Sequence, residues 1–229
     1  MLIDAHCHCQ PTSGITALWN SVTAEDWDRV PASPNIIPFY GIHPWHAKSC
    51  SKIELMALGQ FVKEKKGAGI QFGIGETGLD KTDRNLDFED QKGFFAFHLW
   101  LAQQYKVPVA VHCVHAWGPF MEILSEVPDD IPLLMHSYSG SLETARALMK
   151  RNTWFSFAPS VQRIEKQAEV FRQIPLENIF LETDFTEVPS AGYRETLEEL
   201  YNFTAGVKNV TPETVKKSMQ NNLKKLFSP

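Results

Sequence analysis

No stretch of this sequence approaches the roughly 18 consecutive apolar residues of a membrane-spanning helix, which argues against a transmembrane anchor. The opening residues carry neither a basic segment nor an apolar signal core, so a cytoplasmic protein is expected. Cysteine is scarce: Cys7, Cys9, Cys50 and Cys113 lack C-x-x-C spacing and read as reduced thiols. A zinc site built from Cys7 and Cys9 with the neighbouring histidines is the alternative, but strand alternation sends the two residue types to opposite faces. A basic excess is also missing. With 22 lysines and arginines against 27 acids, the net charge is −5, which disfavours nonspecific coating of duplex nucleic acid. An enzyme that meets phosphate through metal ions can dispense with a basic surface, so a nuclease is not excluded. No linker or low-complexity tract divides the chain, and a single domain over residues 1–229 is expected. No obligate protein partner is evident.

What is there is a series of short apolar, β-branched runs separated by helical patterns. The runs are Leu2 to His6, Ala17 to Val22, Ile36 to Ile42, Gln71 to Glu76, Pro108 to Cys113, Pro132 to Tyr138, Thr153 to Ala158 and Ile179 to Thr183. Helices are predicted over Ser51 to Lys66, Asp87 to Tyr105, Trp117 to Val127, Ser141 to Arg151, Glu165 to Gln173, Tyr193 to Ala205 and Thr211 to Phe227, with a short start at Thr23. The last opens with Thr211-Pro212-Glu213, a cap, a first-turn proline and an acid. Alternation of this kind predicts an α/β fold, a (β/α)8 TIM barrel with a shortened second βα unit.

Polar residues fall where the apolar runs stop. His6 and His8 close the first strand, His43 the third, Glu76 the fourth, His112 the fifth, His136 the sixth and Asp184 the eighth. In a parallel barrel those ends meet on one face. Each alone reads as a satisfied strand-end residue; together, imidazoles and carboxylates crowded on one face call for a cation. The mixed nitrogen and oxygen donors suit Zn, Mn or Fe, and Mg less well.

These residues sit in motifs that resemble the TatD-related metal-dependent hydrolases of the amidohydrolase superfamily. The likeness rests on Asp4-Ala5-His6-Cys7-His8, Gly41-Ile42-His43-Pro44 and Gly75-Glu76-Thr77-Gly78-Leu79-Asp80. It continues through Gln91 to Ala102, Pro108 to His112, His136 to Gly140, Glu182-Thr183-Asp184 and Asn222 to Phe227, and so spans essentially the whole chain. The resemblance implies two divalent metal ions, one held by His6, His8, Glu76 and Asp184, the other by Glu76, His112 and His136. Glu76 would bridge them, where some superfamily relatives use a carboxylated lysine. Asp184 would take the proton from the attacking water, making Asp184 and Glu76 the catalytic pair.

Two departures bear on the substrate. Where the family commonly has an arginine after the fifth-strand histidine, this chain has His115, and after Asp184 it has Phe185-Thr186-Glu187. His43 and His115 are the candidate substrate-binding residues. Trp45 and Trp117 either stack on a base at the pocket mouth or pack within loops. His46 and His98 read as surface or helix residues, and Asp80 as a turn or supporting residue. The function expected is a phosphodiesterase acting on DNA or a small phosphoester. The alternative is hydrolysis of an amide, ester or lactone of a small metabolite, and a noncatalytic metal-binding scaffold is the third reading.

Overall fold

The computed structural model describes residues 1–82, 87–187 and 192–228. Eight parallel strands pair in chain order: β1 Leu2–Cys7, β2 Ile15–Asn20, β3 Ile36–Tyr40, β4 Gly73–Asp80, β5 Val109–Val114, β6 Leu133–Met135, β7 Thr153–Phe157 and β8 Ile179–Leu181. The sheet closes on itself through β8 and β1. The Asp184 N–H donates to the His6 carbonyl at 3.0 Å and the His8 N–H to the Phe185 carbonyl at 2.8 Å. The expected barrel is therefore present, and its strands are buried almost throughout because helices cover their outer faces.

The helices are α1 Lys52–Gly67, α2 Phe88–Tyr105, α3 Trp117–Ser125, α4 Leu142–Leu148, α5 Glu165–Gln173, α6 Tyr193–Lys208 and α7 Pro212–Leu226. Their starts follow local chemistry. Ser51 and Glu54 form a reciprocal capping box on α1, and Asp87 accepts from the Glu89 and Asp90 N–H groups at the head of α2. Between β2 and β3 the described helical structure is only a 3-10 turn, Ala24–Asp26, so the second unit is shortened as expected.

The fourth strand differs from expectation. Glu76 lies in the middle of β4, not at its end, and Asp80 is the terminal residue. The β4–β5 register shifts between Ile74 and Thr77, a bulge that re-aims the intervening side chains. Gly75 and Gly78 permit this course: both take positive φ, and a Cβ on either would collide with β5. A carboxylate thus turns into the barrel mouth from within a strand.

Candidate metal centre

Glu76 is 2% exposed, and its two oxygens face two different groups of imidazoles. Oε2 lies 3.2 Å from His6 Nε2 and 3.3 Å from His8 Nε2. Oε1 lies 3.0 Å from His112 Nδ1, 3.4 Å from His43 Nε2 and 3.8 Å from His136 Nε2. Asp184 completes the ring from the β8 side, with Oδ1 3.8 Å from His8 Nε2 and Oδ2 3.9 Å from His136 Nε2.

Outer partners fix which ring nitrogen points inward. The His8 Nδ1–H donates to the Asn20 carbonyl at 2.9 Å, leaving Nε2 for the centre. His112 turns Nε2 to Asp80 Oδ2 at 2.8 Å and Nδ1 to Glu76. His136 Nδ1 sits 3.1 Å from Glu182 Oε1, the same oxygen that accepts the Ser137 N–H at 2.8 Å. His43 is built the other way: its Nδ1 accepts the Trp45 N–H at 3.2 Å. A neutral His43 must therefore carry its proton on Nε2 and present a donor to the cleft.

The electrostatics record the crowding. Burial pushes the Glu76 pKa up, but His43, His6 and His136 and the His112 hydrogen bond outweigh it and hold the carboxyl well below its ordinary range. Burial opposes charge on His136, yet Glu182, Glu76 and Asp184 push its pKa up to about 10. Burial and the neighbouring His136 lower His6. The His8 Nε2 lone pair, 3.1 Å from His6 Nε2 and against a carboxylate oxygen, needs a positive centre between these groups. A proton can serve one pair; a divalent cation serves the set. Within the described residues, His6, His8 and Glu76 converge closely enough to hold an ion, and their nitrogen and oxygen donors fit a divalent transition metal. His43, Glu76 and His112 also converge, but a neutral His43 with Nδ1 engaged by Trp45 offers that point an N–H and not a lone pair. A third convergence, His6, His136 and Glu182, contains a carboxylate whose Oε1 is engaged by Ser137 and His136 while its buried Oε2 has no hydrogen-bond partner among the described residues.

Of the sequence-predicted residues, His6, His8, His43, Glu76, His112, His136 and Asp184 come together. His115 does not join them. It is exposed, with φ +53°, and lines a second cleft of about 540 Å³ with Lys166 and Ser139. The first cleft, about 680 Å³, opens on the β2–β3 side, and His112, His136 and Asp184 line both. Sequence reading missed the roles of Glu182 and Asp4. Glu182 directly follows the β8 apolar run, two positions before Asp184, a position that could have flagged it. Asp80 proves to be a supporting residue, bonded to His112, to the Trp45 indole N–H at 2.8 Å and to Thr82. His98 is a buried helix residue whose Nε2 accepts the Ile42 N–H.

Comparison with known proteins matches residues 3–228 to the family described as TatD related DNase. Human deoxyribonuclease TATDN3 is 27% identical over 209 residues, covering 84% of this chain and 74% of that protein. Human TATDN2, named a 3'-5' RNA nuclease, is 28% identical over 184 residues, but the match covers 77% of this chain and only 22% of TATDN2. Escherichia coli K12 YjjV, named an uncharacterized metal-dependent hydrolase, is 27% identical over 216 residues, covering 84% of this chain and 82% of YjjV. The YjjV crystal structure superposes with a TM-score of 0.85 at 23% identity, covering 100% of this chain and 98% of that one, and so shows the same fold.

Proposed function

The chain belongs to the TatD related DNase family, and from that premise we propose that it hydrolyses phosphodiester bonds in DNA at a centre of two divalent ions. It is a metal-dependent hydrolase, and the observation that carries the two-ion reading is the division of Glu76: each oxygen faces its own set of imidazole nitrogens. His6, His8, Glu76 Oε2 and Asp184 would hold one ion, and Glu76 Oε1, His112 and His136 the other. Two such ions supply Lewis acidity toward phosphoryl oxygens and acidify a water at neutral pH.

The chain's own groups do the rest. Asp184, whose side chain is 39% exposed at the mouth, would accept the proton lost when water attacks phosphorus and the P–O bond to the leaving oxygen breaks. His43 would offer its Nε2–H to a phosphoryl oxygen, a reading its tautomer supports. Glu182 and Asp80 hold His136 and His112 in their inward orientations. His115 and Lys166 meet the part of the substrate that enters the second cleft. The four unpaired cysteines are consistent with work in a reducing compartment, which we take to be the cytoplasm.

The test is cleavage of an end-labelled oligonucleotide with Mg, Mn or Zn supplied, stopped by chelator and abolished in Glu76→Ala. A folded protein that binds two equivalents of metal yet leaves DNA intact would overturn the substrate assignment.

A further inference from the structure

Among the residues that line the first cleft outside the metal centre are Arg29 and Trp45, both exposed. Trp45 is 56% exposed, although its indole N–H is tied to Asp80 Oδ2 at 2.8 Å and its ring rests edge-on against His43, centroids 4.7 Å apart. A large aromatic ring held on one side and open on the other is a platform. Trp117 differs: it packs edge-on against Tyr138 and Phe120 and is half-buried. Trp117 lines only the second cleft, and Trp19, the other tryptophan of the first cleft, is half-buried, so Trp45 presents the most open ring there.

Arg29 is the one lysine or arginine among the described residues lining this cleft. Its backbone is fixed, the N–H bonding the Asp26 carbonyl at 2.9 Å. Its side chain is 71% exposed and approaches Asp26 only to 3.9 Å. Asp26 Oδ2 is held by the Val22 and Thr23 N–H groups and the Thr23 hydroxyl, which anchors the loop, while its Oδ1 makes this long, exposed ion pair with Arg29. Such a pair contributes little and exchanges readily for a phosphate. In a chain of net charge −5, a weakly held guanidinium that lines the same cleft as an open indole and the carboxylate–imidazole cluster is a specific arrangement.

We propose that Arg29 and Trp45 form a nucleotide subsite flanking the metal centre, the indole stacking an unpaired base and the guanidinium pairing with a phosphate next to the scissile one. A base can offer its face to Trp45 only when unpaired, so the substrate in this cleft is single-stranded, or a frayed end. The guanidinium suits phosphate oxygens through paired N–H donors. The cleft, about 680 Å³, has room for a nucleotide unit beside the reacting phosphate. Shortening of the second βα unit is what brings Arg29 to the mouth: only the 3-10 turn Ala24–Asp26 intervenes between the β2 end and this residue. The inference rests on the nuclease reading above.

The experiment measures binding of a fluorescein-labelled single-stranded hexanucleotide by anisotropy, across a salt series, to the metal-loaded chain in an Asp184→Asn background. Arg29→Gln is expected to weaken binding about tenfold and to reduce the magnitude of the log K against log salt slope by about 0.7, one phosphate contact on a single strand. Arg29→Lys keeps the slope. Trp45→Ala weakens binding about tenfold with the slope unchanged, and Trp45→Phe recovers most of that loss. Unchanged affinity and slope in Arg29→Gln together with unchanged affinity in Trp45→Ala would overturn the subsite, and would do so even where chelator-sensitive cleavage by the parent chain upholds the nuclease reading. The expected binding changes in a parent chain that cleaves no DNA would uphold the subsite and overturn the nuclease reading instead.

Discussion

Two carboxylates are buried in this barrel to the same degree and behave in opposite ways. Asp4, 0% exposed, lies at the β8–β1 seam, where it accepts the Thr183 N–H at 2.9 Å, the Thr183 hydroxyl at 2.7 Å and the Tyr193 hydroxyl at 2.6 Å. Its partners are neutral, and burial raises its pKa to about 6 despite them. Glu76, 2% exposed, is ringed by imidazoles that hold its pKa well below the ordinary range against the same burial. Burial is therefore not what distinguishes a structural acid from a functional one; the charge character of the partners is. Asp4 joins the barrel's ends, while Glu76 gathers imidazoles around its two oxygens.

Substitutions should separate the two regions, the strongest effect coming at the centre. Glu76→Gln keeps the shape and removes the charge, and chelator-sensitive hydrolysis should fall at least about a thousandfold while the thermal midpoint moves by only a few degrees. A loss of activity matched by unfolding would erase the contrast with Asp4. At the seam, Asp4→Ala strands a buried backbone N–H and two hydroxyls and should destabilise the fold by about 3 kcal/mol, read from the urea midpoint. Asp4→Asn, which keeps an acceptor, should cost about 1 kcal/mol.

A third buried titratable group sharpens the comparison because no carboxylate faces it. His98, 0% exposed, has the Phe94 carbonyl at 2.7 Å and the Ile42 N–H at 3.1 Å, and burial lowers its pKa to about 4. Between pH 6.5 and 4 the unfolded chain binds a proton at this position that the folded chain refuses, so its contribution to stability is lost as pH falls through that window. The decline from this group should be about 2 kcal/mol between pH 7 and 5. His98→Gln should flatten it, and an unchanged pH profile in that variant would remove His98 from the account. The smallest effect is expected at the rim. Trp45→Phe deletes one hydrogen bond to Asp80, and if that bond serves only to steady His112, hydrolysis of a small phosphodiester should fall about threefold.

Much of this was legible in the chain, for reasons that are local. Apolar runs with a two-residue period, capping residues such as Ser51 and Asp87, and proline at the head of α7 act within a few positions of one another, so the element order could be read directly. The shortened second unit was visible as a compressed interval between the second and third apolar runs, with only a short helix start at Thr23. The course of β4 was not: its glycines look like turn residues, and only their fit against β5 makes Gly75 and Gly78 part of a strand that carries Glu76 inward.

The sequence by itself determined the barrel and the residue types at its mouth, because strand ends and ligand-capable side chains are properties of short segments. Tertiary structure alone decided how those side chains divide. Asp4 meets Thr183 and Tyr193 across 179 and 189 positions, and Trp45 reaches Asp80 across 35. Which nitrogen of each histidine faces Glu76, and which acid has its pKa raised and which lowered, follow from partners at that distance. Protonation and tautomer are set by the field within a few ångströms, and in this chain that field is assembled from every part of the barrel.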